Sequence, residues 1–449
     1  LTPMTEEAAR KWAEAERPKP YKPLGRLPPP GLDDDDDPDQ GDQAGGGASL
    51  KKRFIVFGAP RLERAEEREV LATMRSGWIG TGPRVARFEA AFGRYVGARH
   101  AAAVSSGTAA LHLAMLASGV GPGDEVVTTP LTFAATANAI LHAGATPVFA
   151  DVDPVTQNLD PGRAAAAVTR KTRALLPVHF AGRPCDMDAL GAIARRRRLL
   201  VIEDAAHAIE ARWRGRACGT IGDLGCFSFY VTKNLTTAEG GMVTTAKASY
   251  AETVKTLALH GMTKDAWRRF SDSGYRHYQV VAPGFKYNLI DLHAAIGLRQ
   301  LPRIERWWRR RRALWAYYTR RFAGLPVALP SADVGRGRHA LHLFTVHLDL
   351  ARLRLDRDGV MMALFRRGVG CGVHYIALHL QPYYRKRFGF RPNDFPVAAW
   401  ISERTLSLPL SAALTDGEAE RVADAFVAVS RGGARAPWGR EGPRRLGSA

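Results

Sequence analysis

Asp204 and Lys233 are two residues whose types could do chemistry together. Asp204 ends an apolar run that begins at Leu199, and such a run is typical of a buried parallel strand that delivers an acid at its carboxyl end. Lys233 follows in a segment rich in aromatic and hydroxyl residues. A lysine can form a Schiff base, and a carboxylate can keep a pyridine nitrogen protonated so that the ring accepts electrons. The pair therefore predicts a site for pyridoxal 5′-phosphate (PLP).

Several other residues could hold such a cofactor. Ser106-Gly107-Thr108 lies between a predicted strand and a predicted helix, where free backbone N–H groups bind phosphate. The hydroxyl of Ser228 could reach the same phosphate, His207 could touch the oxygen on the ring, and Phe133 could stack on the ring. Ordinary structural roles stay open for all of them, as helix caps, packing residues or a core aromatic.

The composition excludes several classes of protein. The chain has 449 residues, 46% of them hydrophobic, which is enough for a large core in two or three domains. It has no apolar run that could span a bilayer and no signal-peptide pattern, and its four cysteines lack metal-site spacing. We therefore expect a cytoplasmic enzyme with reduced thiols, no metal site and no membrane insertion.

The strongly basic balance does not indicate a nucleic-acid partner. The formal net charge is +20, but the charge is mostly arginine spread through the chain. Arg195–Arg198 fits the end of a helix, where cations complement the helix dipole. Arg309–Arg312 fits the solvated face of an amphipathic helix over residues 304–322. We therefore expect no nucleic-acid partner.

The order of predicted elements indicates an α/β fold. Strands are predicted at 101–105, 125–129, 146–151, 174–179 and from 200, with helices at 109–117 and 132–142 between them. This alternation favours a mostly parallel sheet covered by helices. We divide the chain into a disordered extension (1–50), a large domain (51–303), a smaller α/β domain (304–432) with strands at 341–348 and 372–376, and a disordered tail (433–449).

The motifs together resemble the DegT/DnrJ/EryC/StrS-type aminotransferases, which act on nucleotide sugars. The resemblance covers about residues 54–430 and rests on motifs that occur in the family's order: Ser76–Pro83, Ser106–Leu111, Leu131–Asn138, Pro177–Gly182, Glu203–His207, Phe227–Phe229, Thr232–Asn234, Glu239–Gly241, Gly284–Asp291 and Ala294–Gly297. It implies the PLP-dependent transferase fold of type I, which is the fold of aspartate aminotransferase.

The resemblance also implies a role for each site residue. Lys233 would carry the cofactor and move the proton, Asp204 would pair with the pyridine nitrogen, and His207 would approach the ring oxygen. The phosphate would be held by Ser228, Gly107 and Thr108, and Phe133 would stack on the ring. Asn288 would reach the phosphate of the neighbouring subunit, which implies a homodimer with shared active sites.

Within the family, the chain is most similar to the group that aminates UDP-4-keto-pentose on the route to UDP-4-amino-4-deoxy-L-arabinose, used in lipopolysaccharide (lipid A) modification. L-glutamate would be the amino donor and leave as 2-oxoglutarate. The resemblance implies substrate contacts for Thr81, His179, His374 and His379. A structural role for the last two stays open, and their spacing does not place both on one helical face for a metal.

Three alternatives stay open. The first is amination of another UDP- or dTDP-linked keto-deoxyhexose by the same chemistry. The second is a PLP-dependent sugar dehydratase, although that subgroup has histidine where this chain has Lys233. The third is a regulator that uses the fold without catalysis, which the intact set of Asp204, Ser228 and Lys233 disfavours.

Overall fold

The computed structural model describes residues 54–263, 278–332, 334–335 and 337–432. The two segments expected to be disordered, 1–50 and 433–449, lie outside these residues. Within the described residues, no helix combines the length and the apolar composition needed to cross a membrane. All four cysteines are free.

The first half of the chain alternates helices and strands. The elements are α1 (Arg64–Arg75), α2 (Pro83–Val96), β1 (His100–Val104), α3 (Gly107–Ala117), β2 (Glu125–Thr128), α4 (Ala134–His142), β3 (Thr146–Phe149), α5 (Pro161–Ala167), β4 (Thr172–Leu175), α6 (Met187–Arg197), β5 (Leu200–Asp204), β6 (Arg212–Trp213), β7 (Arg216–Ala217), β8 (Leu224–Ser228) and β9 (Gly241–Thr245). The predicted strands and helices of this half are confirmed within a few residues at each end.

The second half contains the smaller sheet and the long connecting helix. The elements are α7 (Ala248–Ala258), α8 (Asp291–Gln300), α9 (Ile304–Arg321), β10 (Val327–Ala328), β11 (Gly337–Arg338), β12 (Phe344–Leu348), α10 (Arg357–Phe365), α11 (Pro382–Phe388), α12 (Pro396–Arg404), β13 (Thr405–Leu408) and α13 (Asp416–Gly432). The division into domains near residue 303 stays a prediction, although α9 begins there.

The main sheet has seven strands in the order β1-β9-β8-β5-β4-β2-β3. Only β9 runs antiparallel to its neighbours, and the other pairs are parallel. The central strands are buried on both faces because helices cover the sheet on either side. The carboxyl ends of β5 and β8 lie side by side, with Asp204 opposite Cys226, so residues that follow these strands meet at one edge.

The smaller sheet has the order β10-β12-β13 and is antiparallel. Helix α9 buries residues spaced mostly three or four apart, the period of a helix; they are Ile304, Trp307, Arg311, Leu314, Trp315 and Tyr318. Of these, Leu314, Trp315 and Tyr318 belong to the hydrophobic cluster that contains Phe344 and Leu406 of the smaller sheet. Arg311 was expected on a solvated face, and this is wrong, because its side chain is buried and paired with Glu210.

Two predicted strands of the second half also need correction. The strand predicted at 341–348 is shorter and begins at Phe344. The strand predicted at 372–376 is absent from the described residues, where Gly372 makes only an isolated bridge to Ser407.

Candidate active site

Asp204 is the last residue of β5, and its side chain is buried. Its Oδ2 accepts a hydrogen bond from Thr136 Oγ1 at 2.8 Å, and its Oδ1 accepts one from the Ala206 N–H at 3.1 Å. Burial raises the pKa of this carboxyl, and the Thr136 and Ala206 donors and the charge of Lys233 partly oppose the rise. The carboxylate is therefore held by donors that favour its charged form, with lone pairs left to accept another N–H.

Lys233 follows β8 in a turn closed by its own N–H, which donates to the carbonyl of Tyr230 at 2.8 Å. Its side chain lines a small polar cavity together with Phe57, His207, His342 and His374. Burial lowers the pKa of Lys233 to about 8, and the charge of Asp204 opposes this effect. A fraction of the amine is therefore unprotonated near neutral pH, as a base or nucleophile requires.

Three histidines and a tyrosine surround this lysine. The His207 Nε2 and the Tyr375 hydroxyl are 3.2 Å apart, and the rings of His207 and His342 lie 4.4 Å apart. His374 Nδ1 contacts Ser407 Oγ at 2.9 Å. Burial lowers the pKa of all three histidines, which is about 4 for His374. They are therefore neutral near neutral pH and add no positive charge beside Lys233.

A cradle of backbone N–H groups lies at the beginning of α3. Ser106 caps this helix through its Oγ, which accepts the Ala109 N–H at 3.0 Å. A Cβ on Gly107 would lie 2.8 Å from the Cβ of Ser228, so only glycine allows Ser228 to approach this closely. The N–H groups of Gly107 and Thr108 have no acceptor within the helix because they belong to its first turn. Helix starts of this kind bind phosphate.

Phe133 immediately precedes α4 and is 62% exposed. Its ring centroid lies 6.1 Å from that of Tyr375. The alternative interpretation as a core aromatic is therefore wrong, and the ring has a free face on which a planar cofactor could stack.

Two of the expected substrate contacts have structural partners instead. His179 is buried, its Nε2 contacts Glu203 Oε2 at 2.9 Å and its Nδ1 accepts the Cys185 N–H at 3.0 Å. His379 is also buried, packs on Phe395 and has its Nε2 3.3 Å from a backbone carbonyl. We therefore correct the expectation for both histidines, because each is enclosed by protein; His374 does line the Lys233 cavity.

Asn288 and Thr81 lie together, away from the Lys233 cavity. The Nδ2 of Asn288 donates to Thr81 Oγ1 at 2.6 Å, and Thr81 donates to the Leu289 carbonyl at 2.5 Å. Both residues line a mostly apolar cavity of about 590 Å³ with Trp78 and Met262. Within one chain they therefore belong to a separate surface, and their roles at a shared site stay a prediction.

Sequence reasoning missed several residues of the site. Thr136 could have been found, because it lies one turn beyond Thr132 at the start of a helix that follows a strand. Tyr375 directly follows His374 and Asn234 directly follows Lys233, so both could have been found from the sequence. His342 gave no local signal, since contacts across the fold bring it to the cavity.

These residues fit PLP. A buried carboxylate with spare lone pairs suits a pyridine nitrogen, a poised lysine amine suits the aldehyde, and the cradle that excludes a Cβ at Gly107 suits the phosphate. The described residues contain no group of histidine, cysteine, aspartate or glutamate that could hold a metal ion.

The chain matches the model of the DegT/DnrJ/EryC1/StrS aminotransferase family over residues 60–427. The spore coat polysaccharide biosynthesis protein SpsC of Bacillus subtilis (strain 168) is 45% identical over 383 residues, which are 85% of this chain and 98% of SpsC. The alignment therefore covers nearly the whole of that relative.

Solved structures agree with this match. The putative sugar aminotransferase Spr1654 from Streptococcus pneumoniae, in its PLP form, has a TM-score of 0.79 and 32% identity, covering 85% of this chain and 100% of that chain. Helicobacter pylori PseC, an aminotransferase involved in the biosynthesis of pseudoaminic acid, has a TM-score of 0.78 and 26% identity, covering 85% of this chain and 100% of that chain. The fold is that of PLP-dependent sugar aminotransferases, and the chain belongs to the DegT/DnrJ/EryC1/StrS aminotransferase family.

Proposed function

We propose that this sugar aminotransferase transfers the amino group of L-glutamate to the 4-keto carbon of a nucleotide-linked sugar, with UDP-4-keto-pentose as the first candidate. The observation that carries the proposal is the amine of Lys233, which has a pKa of about 8 and lines a polar cavity near the buried Asp204. An amine of this kind can take up and return a proton near neutral pH.

The residues of the site divide the work between holding the cofactor and moving a proton. PLP, when bound, supplies an electron sink for the bond that is broken at the amino-bearing carbon. Asp204 would hold the pyridine nitrogen, and Gly107, Thr108 and Ser228 would hold the phosphate. The Nζ of Lys233 would remove the proton from the donor carbon and later deliver a proton to the sugar carbon.

The environment of Lys233 supports this proton transfer. The three surrounding histidines are neutral, so they do not repel a proton on Nζ. The Asp204 charge raises the pKa of Lys233, while burial lowers it by more. The balance leaves both protonation states accessible within the pH range in which transamination would be measured.

The choice of an anionic donor and an anionic acceptor agrees with the charge of the chain. The formal net charge is +20, and a positive field raises the encounter rate with anions such as glutamate and a nucleotide diphosphate. The charge therefore supports the substrate class and does not select a sugar.

A keto-deoxyhexose is the second candidate acceptor. PseC, which is involved in pseudoaminic acid biosynthesis, shares the fold over 85% of this chain, while SpsC belongs to spore coat polysaccharide biosynthesis. These relatives, at 26% and 45% identity, therefore belong to different biosynthetic processes, and an amination product for lipid A is one outcome among these.

We also propose a homodimer whose subunits complete each other's sites. The surface around Asn288 contains the apolar cavity of about 590 Å³, and the nearby Ile79 is 50% exposed. Exposed apolar surface of this kind is typical of an interface. Light scattering after size-exclusion chromatography should give about twice the mass of one chain, and Ile79→Asp should shift it toward the monomer.

A panel of sugars tests the acceptor. The PLP-loaded enzyme would be given L-glutamate with UDP-4-keto-pentose or with a UDP-4-keto-6-deoxyhexose, and the amino sugar and 2-oxoglutarate would be measured by mass spectrometry. The proposal expects equal amounts of the two products, with the pentose used more efficiently. Preference for the hexose would select the second candidate, and failure with every 4-keto sugar would contradict the proposed acceptor class.

A further inference from the structure

A chain of polar side chains connects the long helix α9 to the active-site cavity. Arg311 on α9 pairs through Nη2 with Oε1 of Glu210. Oε2 of Glu210 accepts a hydrogen bond from Asn234 Nδ2 at 2.8 Å, and Asn234 Oδ1 lies 3.0 Å from Nδ1 of His342. Asn234 directly follows Lys233, so the chain ends beside the reactive lysine.

The partners of Asn234 fix the orientation of its amide. Its Nδ2 group donates to two acceptors, the Glu210 carboxylate at 2.8 Å and the Ala340 carbonyl at 3.2 Å. The oxygen of the amide must therefore face His342, and Nδ1 of His342 must carry the hydrogen that this oxygen accepts. In a neutral imidazole the other nitrogen, Nε2, is then a lone-pair acceptor.

His342 lies in the immediate surroundings of Lys233. Its ring lines the same cavity as Lys233, His207 and His374. It is buried, and its ring centroid is 4.4 Å from that of His207. An acceptor in this cavity is one of the few polar groups available to the lysine amine when the amine is not bound to a cofactor.

We propose that His342 is a positioning residue of the transamination site, held as a fixed neutral acceptor for the Lys233 amine by the chain Arg311–Glu210–Asn234. When Nζ carries a proton, the acceptor stabilises the ammonium and holds it in place. When the proton leaves, the acceptor keeps its tautomer because Asn234 cannot donate to Nδ1 without losing its bonds to Glu210 and Ala340. The inference rests on the proposed role of Lys233.

The protonation states of the neighbours agree with this role. Burial lowers the pKa of His342 well below its ordinary value, and the charges of Lys233, His374 and Arg311 lower it further. His342 is therefore neutral near neutral pH, where Lys233 can be charged. His342 and Lys233 line the same small cavity.

The other titratable groups that surround Lys233 come from two segments. Asp204 ends β5 and His207 follows it, while His374 and Tyr375 follow α10. The charge of Asp204 raises the pKa of Lys233. Burial raises the pKa of the Tyr375 hydroxyl and lowers the pKa of His207 and His374. The histidines and Tyr375 are neutral near neutral pH, so a change at His342 can be read against a constant contribution from these groups.

The test measures the titration of Lys233 without substrate and without cofactor. The cofactor-free protein would be treated with an amine-specific acylating reagent over a range of pH, and labelling of the peptide that contains Lys233 would be followed by mass spectrometry. The wild-type rate should rise with a midpoint at about pH 8. In His342→Phe the ammonium loses an acceptor, which favours the free amine, so the midpoint should fall by about one pH unit.

Two variants separate positioning from a merely structural role. His342→Gln keeps an acceptor near the place of Nε2 and should restore the midpoint. His339→Phe is the matched control, because His339 is also buried but packs on Trp315 instead of lining the cavity. Its midpoint should equal that of the wild type, and the thermal midpoints of all variants would be compared to exclude unfolding.

Two results would overturn the inference. One is an unchanged Lys233 midpoint in a folded His342→Phe protein, and the other is an equal fall in His342→Phe and His339→Phe. Asn234→Ala adds a check, since freeing the tautomer should lower the midpoint by part of the His342→Phe effect. Because this test uses no sugar or donor, its failure is distinguishable from a failure of the sugar panel. A failed sugar panel would leave the titration of Lys233 as predicted.

Discussion

Thr136 offers a direct test of how the site holds Asp204. Thr136→Val removes the hydroxyl that donates to Asp204 Oδ2 at 2.8 Å and keeps the shape of the side chain. Since a hydrogen bond to a charged group contributes about 1.5–3 kcal/mol, the charged form of the carboxylate loses stabilisation of that size. Because the charged form is the one that pairs with a protonated ring nitrogen, PLP affinity should fall by about 10- to 100-fold.

The sign of the pH dependence follows from the same bond. Burial raises the pKa of Asp204 and the Thr136 donor opposes the rise; without the donor the pKa rises further. The pH window in which Asp204 becomes neutral and PLP affinity is lost should therefore move upward in Thr136→Val. Absorbance titrations with PLP across pH 5–8 measure both the fall and the shift.

Thr73→Val is the matched control for this experiment. Thr73 is also a buried threonine, in helix α1, and its hydroxyl donates to the Glu69 carbonyl at 2.7 Å. The control should lose some stability without a change in PLP affinity. If Thr136→Val bound PLP as tightly as the wild type at every pH, the assignment of Asp204 as the residue that holds the ring nitrogen would be refuted.

Two further substitutions test the cradle and the support beneath the site. Gly107→Ala would place a Cβ 2.8 Å from Ser228 Cβ, so it should weaken PLP binding at least about 10-fold and cost about 1–3 kcal/mol of stability. The control is Gly417→Ala, which is also in a first helical turn but would place its Cβ with nothing within 4 Å, so neither effect is expected. Equal PLP affinity in both variants would contradict the role of Gly107 in the cradle. Glu203→Gln removes a buried carboxylate that contacts one histidine and accepts three backbone N–H groups, so the free energy of unfolding in urea should fall by about 3–5 kcal/mol. The control, Glu67→Gln at an exposed position, should change the free energy of unfolding by less than about 0.5 kcal/mol. Equal unfolding midpoints for the Glu203→Gln and Glu67→Gln proteins would show that the Glu203 network is not stabilising.

The sequence was most informative where a local pattern determines both the element and the site. The apolar run of β5 places Asp204 at a strand end without reference to the rest of the fold, and the start of α3 places Gly107 and Thr108 in the same way. Lys233 could be chosen because its segment combines a lysine with the hydroxyl and aromatic residues that the chemistry needs. These are contacts within one element or between neighbours in the sheet.

The sequence was least informative where distant segments meet. His342 and Arg311 reach the site only through the packing of the smaller sheet and α9, which no periodicity reports. Arg311 fits a helical pattern of solvated arginines, and only the position of Glu210 shows why it is buried. His179 and His379 fit the motif of a substrate contact, but the number of partners around each ring depends on contacts that lie far apart in the sequence.

The central claim is that Lys233 performs the transamination. An absorbance spectrum of the PLP-loaded protein, recorded before and after L-glutamate, tests it directly: the wild type should show a band at about 410–430 nm that is replaced by one at about 330 nm. Lys233→Ala should show neither the original band nor the change, while Lys247→Ala, at an exposed lysine, should behave as the wild type. A Lys233→Ala protein that responds to glutamate like the wild type would contradict the account.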